Sequence, residues 1–515
     1  MSKSECPSEI EIRLSLVDNC LPNIERQFVT DVNYRHEHNQ TTYFDTPEAY
    51  LWGHGVECRI RRSAKGIIQT VKHADPNLAT FTRTESEIEL EIDQLSLDHL
   101  RECLPEAARE GLDESRIAPV FLTDVQRRRR IIEHRGARIE AALDIGRIVS
   151  GSQHTDICEL ELELKDGSPA ALADAALDLL RSTPAQLQTA GKAARGFRLL
   201  SGALPEPVFA QKISVAPETY LPDTVAAMLR SALVHALANH DALVETDDVE
   251  AVHQMRVGLR RLRAIISAFK PVLHSGSAEQ LMDETKRFFT LLGDVREADV
   301  FLEETLPQFP DDVFGPEIKT ALSTEVDRFR KAARRDVHDF ATGPAFARLI
   351  IGWYGWIEGG GWLRSERPID RLLQMRPVGD FAVGRLHKMR SRLRKAGRQA
   401  MKGPVDDWHI ARIAAKKLRY AGAPLQAVTA GSARKDNLAE KRLAKLQDAL
   451  GSFNDLCTVG PFLRKVGEQV PASRRQSFME NAAFCDGWTQ AESRHVVARL
   501  EQTWGRFELA MDEWS

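Results

Sequence analysis

The stretch Ile157-Cys158-Glu159-Leu160-Glu161-Leu162-Glu163-Leu164 decides the fold of the first 200 residues. Apolar and acidic side chains alternate at period two, which predicts a strand with one face on a core. From Cys158 onward its other face carries only carboxylates. The same design recurs to either side. Glu9-Ile10-Glu11-Ile12-Arg13-Leu14-Ser15-Leu16 alternates with Glu9, Glu11 and Arg13 together. Val56–Arg62 puts Glu57, Arg59 and Arg61 on one side, and Ile67–Lys72 ends with Thr70 and Lys72 in matching parity. Arg83, Glu85, Glu87 and Glu89 alternate through a further segment. Arg127 and Arg129 share a face in Gln126–Ile132, and Arg138, Glu140 and Asp144 share one near Arg138–Ile145. About eight strands separated by turn residues predict an antiparallel sheet or barrel. Helices are predicted at Leu97–Cys103 and Pro169–Ser182, where Pro169 suits a first turn.

One charged face is ordinarily the wet side of a sheet. Here some strands carry mainly basic residues on a face and others mainly acidic ones. If the sheet closes, both sets point into one lumen. Carboxylates gathered there bind a hard divalent cation; Arg and Lys bind phosphate oxygens. Metal and basic groups around a polyanion form the constellation for metal-assisted phosphoryl transfer.

These segments resemble the CYTH domain, the triphosphate tunnel metalloenzymes. Glu9-x-Glu11-x-Arg13 resembles the family's opening Glu-x-Glu-x-Lys, and YFDTPEAYLWGHGVECRIRR its Tyr-Phe-Asp-Thr segment with Arg59 and Arg61. QTVKH supplies Lys72, FTRTESEIEL the acidic strand with Glu85 and Glu87, and QTAGKAARGFRLL the last basic residue, Lys192. The resemblance covers about residues 6–200. It implies an eight-stranded antiparallel tunnel that hydrolyses triphosphate compounds with Mg²⁺ or Mn²⁺. Glu9, Glu11, Asp144, Glu159, Glu161 and Glu163 would hold metal, with Glu9, Glu11 and Glu161 catalytic. Arg13, Arg59, Arg61, Lys72, Arg127, Arg129 and Lys192 would hold phosphates. Arg13 departs from the family's lysine, replacing a compact ammonium by a planar fork and so touching substrate pose.

Beyond residue 204 the pattern changes. Four prolines in Pro205–Pro222 predict an extended connection, with a short strand near 209–215. From residue 223 the chain reads as helical. Two stretches repeat each other, HQMRVGLRRLRA from His253 and HIARIAAKKLRY from His409. At 100° per residue His253, Arg256, Arg260 and Arg263 share a face about 80° wide, opposite an apolar stripe. His409, Arg412, Lys416 and Arg419 repeat it. A face of like charge self-repels unless an anion sits there. Two copies predict two helical units, about 223–365 and 366–515, with both basic faces on one groove suited to a linear polyanion. Gly293 and Gly451 read as helix C-caps after LLGDVREAD and LQDALGSFND. This half, over about 223–510, resembles the CHAD domain, an all-helical family named for its histidines. The resemblance implies binding of inorganic polyphosphate and, in some members, association with polyphosphate granules.

The 515 residues carry a net charge of −4, but residues 1–200 hold −8 and the remainder +4, so neither half is basic enough for general nucleic-acid binding. No aromatic stripe accompanies the basic helices, which also argues against it. Seven scattered cysteines without a CxxC pair predict reduced thiols. The start lacks an apolar signal-peptide core, and Leu349–Ile357 is too short to span a membrane. The expected protein is α+β and multidomain: tunnel at 1–204, linker at 205–222, helical domain at 223–515. Its expected role is metal-dependent triphosphate or polyphosphate handling in the cytoplasm. The alternatives are a non-catalytic polyphosphate binder and an adenylate cyclase, an activity of some CYTH members.

Overall fold

The computed structural model describes residues 8–16, 21–29, 34–73, 81–211, 213, 215, 216, 218–273, 276, 278–363, 368–427 and 433–512. Alternation becomes strand wherever it was legible. Among the described residues nine strands form: β1 (Ser8–Leu16), β2 (Arg35–Asp45), β3 (Val56–Ser63), β4 (Gly66–His73), β5 (Thr82–Leu90), β6 (Ala118–His134), β7 (Ala137–Ser150), β8 (Gln153–Asp166) and β9 (Ala185–Leu187). They form one antiparallel sheet in the order β5-β4-β3-β2-β6-β7-β8-β1-β9. Strand β1 pairs with β8 along Glu11–Ser15 and with β5 along Ser8–Ile10. Three residue pairs link β1 to β5, so the sheet is not closed along its full length. Beyond the eight expected strands the sheet has a short ninth, β9, which pairs with Leu14–Leu16 and leads towards Lys192.

The register places like parity on one face. Arg13 lies opposite Glu161, Glu161 opposite Ala142, Asp144 opposite Arg127, and Arg127 opposite Glu37. The other face is apolar: Ile12, Leu14, Leu160 and Leu162 are all buried. The Pro169–Ser182 helix packs on β1, β6, β7 and β8. It starts because Ser168 Oγ accepts the Ala171 N–H at 3.2 Å while Pro169 fills the first turn. Its Leu172, Ala176 and Leu180 join the core, each full leucine contributing roughly 1.5–3 kcal/mol of burial. Leu97–Cys103 is likewise capped by Ser96 and closes a core of Leu51, Val56, Cys58, Val71 and Leu100.

The chain divides into two compact units. The first takes residues 1–208 together with 237–251 and 339–361; the second takes 209–236, 252–338 and 362–515. The first thus includes the His240–Glu245 and Pro344–Glu358 helices, which come after the prolines in sequence. Gly355 and Gly359 let the latter lie against Ala173 and Ala170; a Cβ at either would be within 2.9 Å of those methyls. The second unit is helical, including Leu221–Ala238, Val249–Phe269, Glu279–Val300, Pro316–Ala341, Val378–Ala400, Asp407–Ala427, Ala433–Gln469 and Ala472–Asp512.

Two readings are corrected. Gly293 and Gly451 do not end helices; they lie inside Glu279–Val300 and Ala433–Gln469. A Cβ on Gly293 would be 3.0 Å from Arg256 Nη1, so the glycine makes room for a guanidinium. Residues 209–211, 213 and 215 form no strand; 212 and 214 lie outside the described residues. Trp353 and Trp362 are core residues, 0% and 2% exposed. Among the described residues Cys58, Cys457 and Cys485 are free thiols. Among the described residues no helix is long and apolar enough to cross a membrane.

Candidate functional site

The charged face of the sheet encloses a cavity of about 320 Å³. Of the residues expected there, Glu9, Glu11, Arg13, Arg59, Arg61, Lys72, Arg127, Arg129, Asp144, Glu161, Glu163 and Lys192 all line it, as do Glu85 and Glu87. Glu159 lies beneath the wall, 1% exposed, held by Lys192 and by Arg195 at 2.5 Å. Among the described residues nine cationic and ten carboxylate side chains line the cavity, so their charge is close to balanced.

The pairs are specific. Lys72 bonds Glu9 and, at 3.1 Å, Glu85. Arg59 reaches Glu57 at 3.0 Å, Arg61 reaches Glu87 at 3.4 Å, and Arg13 reaches Glu11 at 3.1 Å. Arg127 forks onto Asp144 at 2.7 and 2.6 Å and also bonds Glu161. Arg129 bridges Glu37 at 2.8 Å and Glu140 at 3.3 Å. Lys192 opens the Lys192–Ser201 helix, and its Nζ lies 2.7 Å from Asp144 and 2.6 Å from Glu161.

Burial is the largest influence on Glu11, Glu161, Glu163 and Lys192, and the neighbours decide the outcome. Burial and repulsion from Glu161 push Glu11 up. Glu161 is buried too, but Lys192 and Arg127 outweigh burial and hold it well below the carboxylate range. Glu163 is pushed up to about 7 by burial, with Glu9 and Glu140 adding repulsion. Lys192, despite burial, is raised by Asp144, Glu159 and Glu161. Carboxylates around Lys192 are therefore compensated, whereas Glu11 and Glu163 are short of positive charge.

Oxygen-only donors in this number fit a hard divalent cation. Among the described residues Asp144, Glu159 and Glu161 form an acidic cluster whose ligand atoms lie within 4.8 Å of one another. The under-compensated Glu11 and Glu163 add further oxygen donors on the same wall.

Several lining residues escaped the sequence reading. Glu37, Asn39, Thr41 and Tyr43 all come from β2. Their odd-numbered parity was the available signal, but His36, His38, Gln40 and Thr42 make the opposite face polar as well. Lys65 and Lys165 line the cavity from strand ends, where alternation fades.

In the helical unit both basic faces line one groove of about 790 Å³. It takes in His253, Arg256, Arg260, Arg263, His409, Arg412 and Lys416. Arg419 is not brought in; it bonds Gln447 at 2.8 Å. Two aromatic rings order the arginines. Arg256 and Arg263 lie 4.2 and 4.9 Å from the centre of Phe289, and Arg256 donates to the Phe289 carbonyl at 2.7 Å. Arg260 lies 4.9 Å from the centre of Tyr420 and donates to its hydroxyl at 2.8 Å. His409 Nδ1 is 3.3 Å from Asn454 Oδ1. Burial, with Arg260 nearby, pulls Arg256 down to about 10; burial, with Arg412 and Arg260, pulls the Lys416 ammonium down to about 7. Seven Lys and Arg side chains face two carboxylates, Glu297 and Asp455. The groove has the charge of a site built for an anion.

Comparison with known proteins follows the same division. Residues 8–197 match the family model of the CYTH domain, and residues 227–464 match that of the CHAD domain. A protein of Haemophilus influenzae named inorganic triphosphatase is 29% identical over 196 residues, 37% of this chain and 54% of that protein. An uncharacterised protein of Mycobacterium tuberculosis is 27% identical over 225 residues, 43% of this chain and 41% of that one. The chain thus spans about half the length of these relatives. Among solved structures, the CHAD domain from the plant Ricinus communis is 25% identical with a TM-score of 0.50, covering 59% of this chain and 96% of that one.

Proposed function

We propose that this chain, a CYTH domain followed by a CHAD domain, hydrolyses inorganic triphosphate in its N-terminal cavity and grips polyphosphate along its helical groove. The observation that carries the reading is the convergence of seven expected cations and five expected carboxylates on one enclosed wall. The sheet would work as an eight-stranded tunnel with β9 as an appendage, and the two His-led helical stretches as a duplication.

Arg59, Arg61, Arg127 and Arg129 present forks to equatorial phosphate oxygens, while Lys72 and Lys192 act as point charges. They bind the chain of phosphates and exclude bulk water. Glu9, Glu11, Glu161 and Glu163, with Asp144, would hold Mg²⁺ or Mn²⁺. That ion would neutralise developing charge and lower the pKa of a bound water. Glu163, pushed up to about 7 by burial in the metal-free protein, would give up its proton on taking the ion. The test is phosphate release from triphosphate with Mg²⁺ or Mn²⁺, compared with Glu9→Ala and Glu161→Ala. Metal-dependent release that both variants lose by 100-fold or more, at the scale of a lost transition-state contact (about 3 kcal/mol), supports the reading.

One observation favours a second reading. Arg13 Nε bonds Glu11 at 3.1 Å and so occupies a carboxylate that hydrolysis assigns to the metal. A tunnel that only grips its anion would show triphosphate binding with no phosphate release. The cyclase reading draws no support. Tyr43 is the one aromatic ring among the described lining residues, and it is stacked on Phe121 at 4.5 Å, which denies adenine a platform. A cytoplasmic setting near polyphosphate granules is the location this function implies.

A further inference from the structure

Lys192 is the first residue of its helix, where the positive end of the helix dipole opposes a cation. Gly191 before it offers no side-chain cap, and a Cβ there would be 2.3 Å from Arg13 Nη1. Asp144, Glu159 and Glu161 offset that cost at the ammonium, while the backbone that carries it is fixed from outside the cavity. Asp241, in the His240–Glu245 helix of the same compact unit, brackets it. Its Oδ1 accepts the Thr189 hydroxyl, three residues before Lys192. Its Oδ2 accepts from Arg198 Nη2 at 2.6 Å, six residues after. Glu245 takes the other Arg198 nitrogen at 3.0 Å.

His240 seats this carboxylate. Its Nδ1 is 3.2 Å from both Thr189 Oγ1 and Asp241 Oδ1, its Nε2 donates to the Ala341 carbonyl at 3.1 Å, and its ring stacks on Phe346 at 4.7 Å. The Asp241 side chain is only 14% exposed. Burial works against its charge, but the bonds from His240, Thr189 and Arg198 outweigh it and keep the carboxyl below its ordinary range.

We propose that Asp241, seated by His240, is the positioning residue for Lys192, setting how that ammonium meets phosphate in the cavity from outside it. The first readout below stands alone; only the second rests on the hydrolytic reading. In the full chain, without metal or substrate, an amine-acylating reagent is applied and peptides are followed by mass spectrometry. Asp241→Asn is expected to label Lys192 about fivefold faster as the ammonium leaves its carboxylates, with Lys319 in the other unit unchanged. Triphosphate hydrolysis with Mn²⁺ is expected to lose about tenfold in kcat/KM, Asp241→Glu to recover part of it, and Asp241→Asn to cost nothing more in a Lys192→Ala background. Unchanged labelling of Lys192, or a full further loss on top of Lys192→Ala, overturns the proposal. If Asp241→Asn does not fold, Thr189→Val removes only the hydroxyl and is judged by the same criteria. If the wild type releases no phosphate, the hydrolytic reading fails and the labelling comparison decides this one.

Discussion

Burial moves two side chains to near neutrality from opposite directions, raising a carboxyl and lowering an ammonium, and each makes a measurable prediction. Glu163 binds its proton more tightly in the folded protein than in the unfolded chain, with a value moved from 4.5 to about 7. Its contribution to stability is complete below about pH 4.5 and is lost as the pH rises through 7. Glu163→Gln keeps the neutral shape at every pH. In metal-free protein this variant is expected to melt above the wild type at pH 8, by an amount on the order of 2–3 kcal/mol, and the gap to narrow by pH 5.5. A melting curve at pH 8 that matches or falls below the wild type contradicts the prediction. Lys416 is the reverse case, depressed from 10.5 to about 7. Its stabilising contribution is complete above pH 10.5 and is lost as the pH falls through 7, because charging it in a buried position, beside Arg412 and Arg260, costs free energy. A polyanion removes that cost. Polyphosphate binding at pH 8 is therefore expected to take up a proton, seen as a calorimetric enthalpy that depends on the buffer. Lys416→Arg, charged throughout, is expected to abolish that dependence.

The elements were legible in proportion to how cleanly one face differed from the other. β8 announced itself because leucines alternate with glutamates from Glu159 to Leu164. β2 did not, because both its faces are polar: one looks into the cavity and the other meets neighbours such as Asp124, which His38 contacts. The two His-led helices were legible from charge spacing, yet the glycines after them were misread. Gly293 resembles a helix stop locally, and only the packing of Arg256 against it gives it another purpose. The same local blindness hid the Lys192–Ser201 helix as a mechanical part. Gly196 in that helix faces Phe121, and a Cβ there would be 2.1 Å from the ring. Phe121 cannot yield, being stacked on Tyr43 at 4.5 Å and edge-on to Phe197 at 5.1 Å. Gly196→Ala must therefore push the helix and its lysine away from the sheet. The expected cost is about 1–3 kcal/mol by chemical denaturation, with a fall in triphosphate hydrolysis larger than lost folding explains. A variant of full stability and full rate would show that the helix has slack.

At the scale of the whole molecule the chain holds two charged concavities with unlike electrostatics, one in each compact unit. The cavity is near charge balance, so a triphosphate entering alone would leave a large excess of negative charge behind low-dielectric walls. It needs companion cations, and Glu11 and Glu163 are the carboxylates left short of them. The groove carries seven Lys and Arg side chains against two acids, so it can neutralise an anion unaided. Chelating divalent ions is thus expected to abolish phosphate release while leaving polyphosphate retention on the full chain intact. Retention should instead weaken with added salt, as contacts between exposed charges and a polyanion do. The paired reversals Arg260→Glu and Arg412→Glu should lower retention at least tenfold, since each replaces attraction by repulsion within a few ångströms, without changing triphosphate turnover. Measuring both activities on both preparations separates the sites. If chelation released polyphosphate as well, the groove would depend on metal bridges through Glu297 and Asp455, and its surplus of positive charge would not suffice to explain its grip.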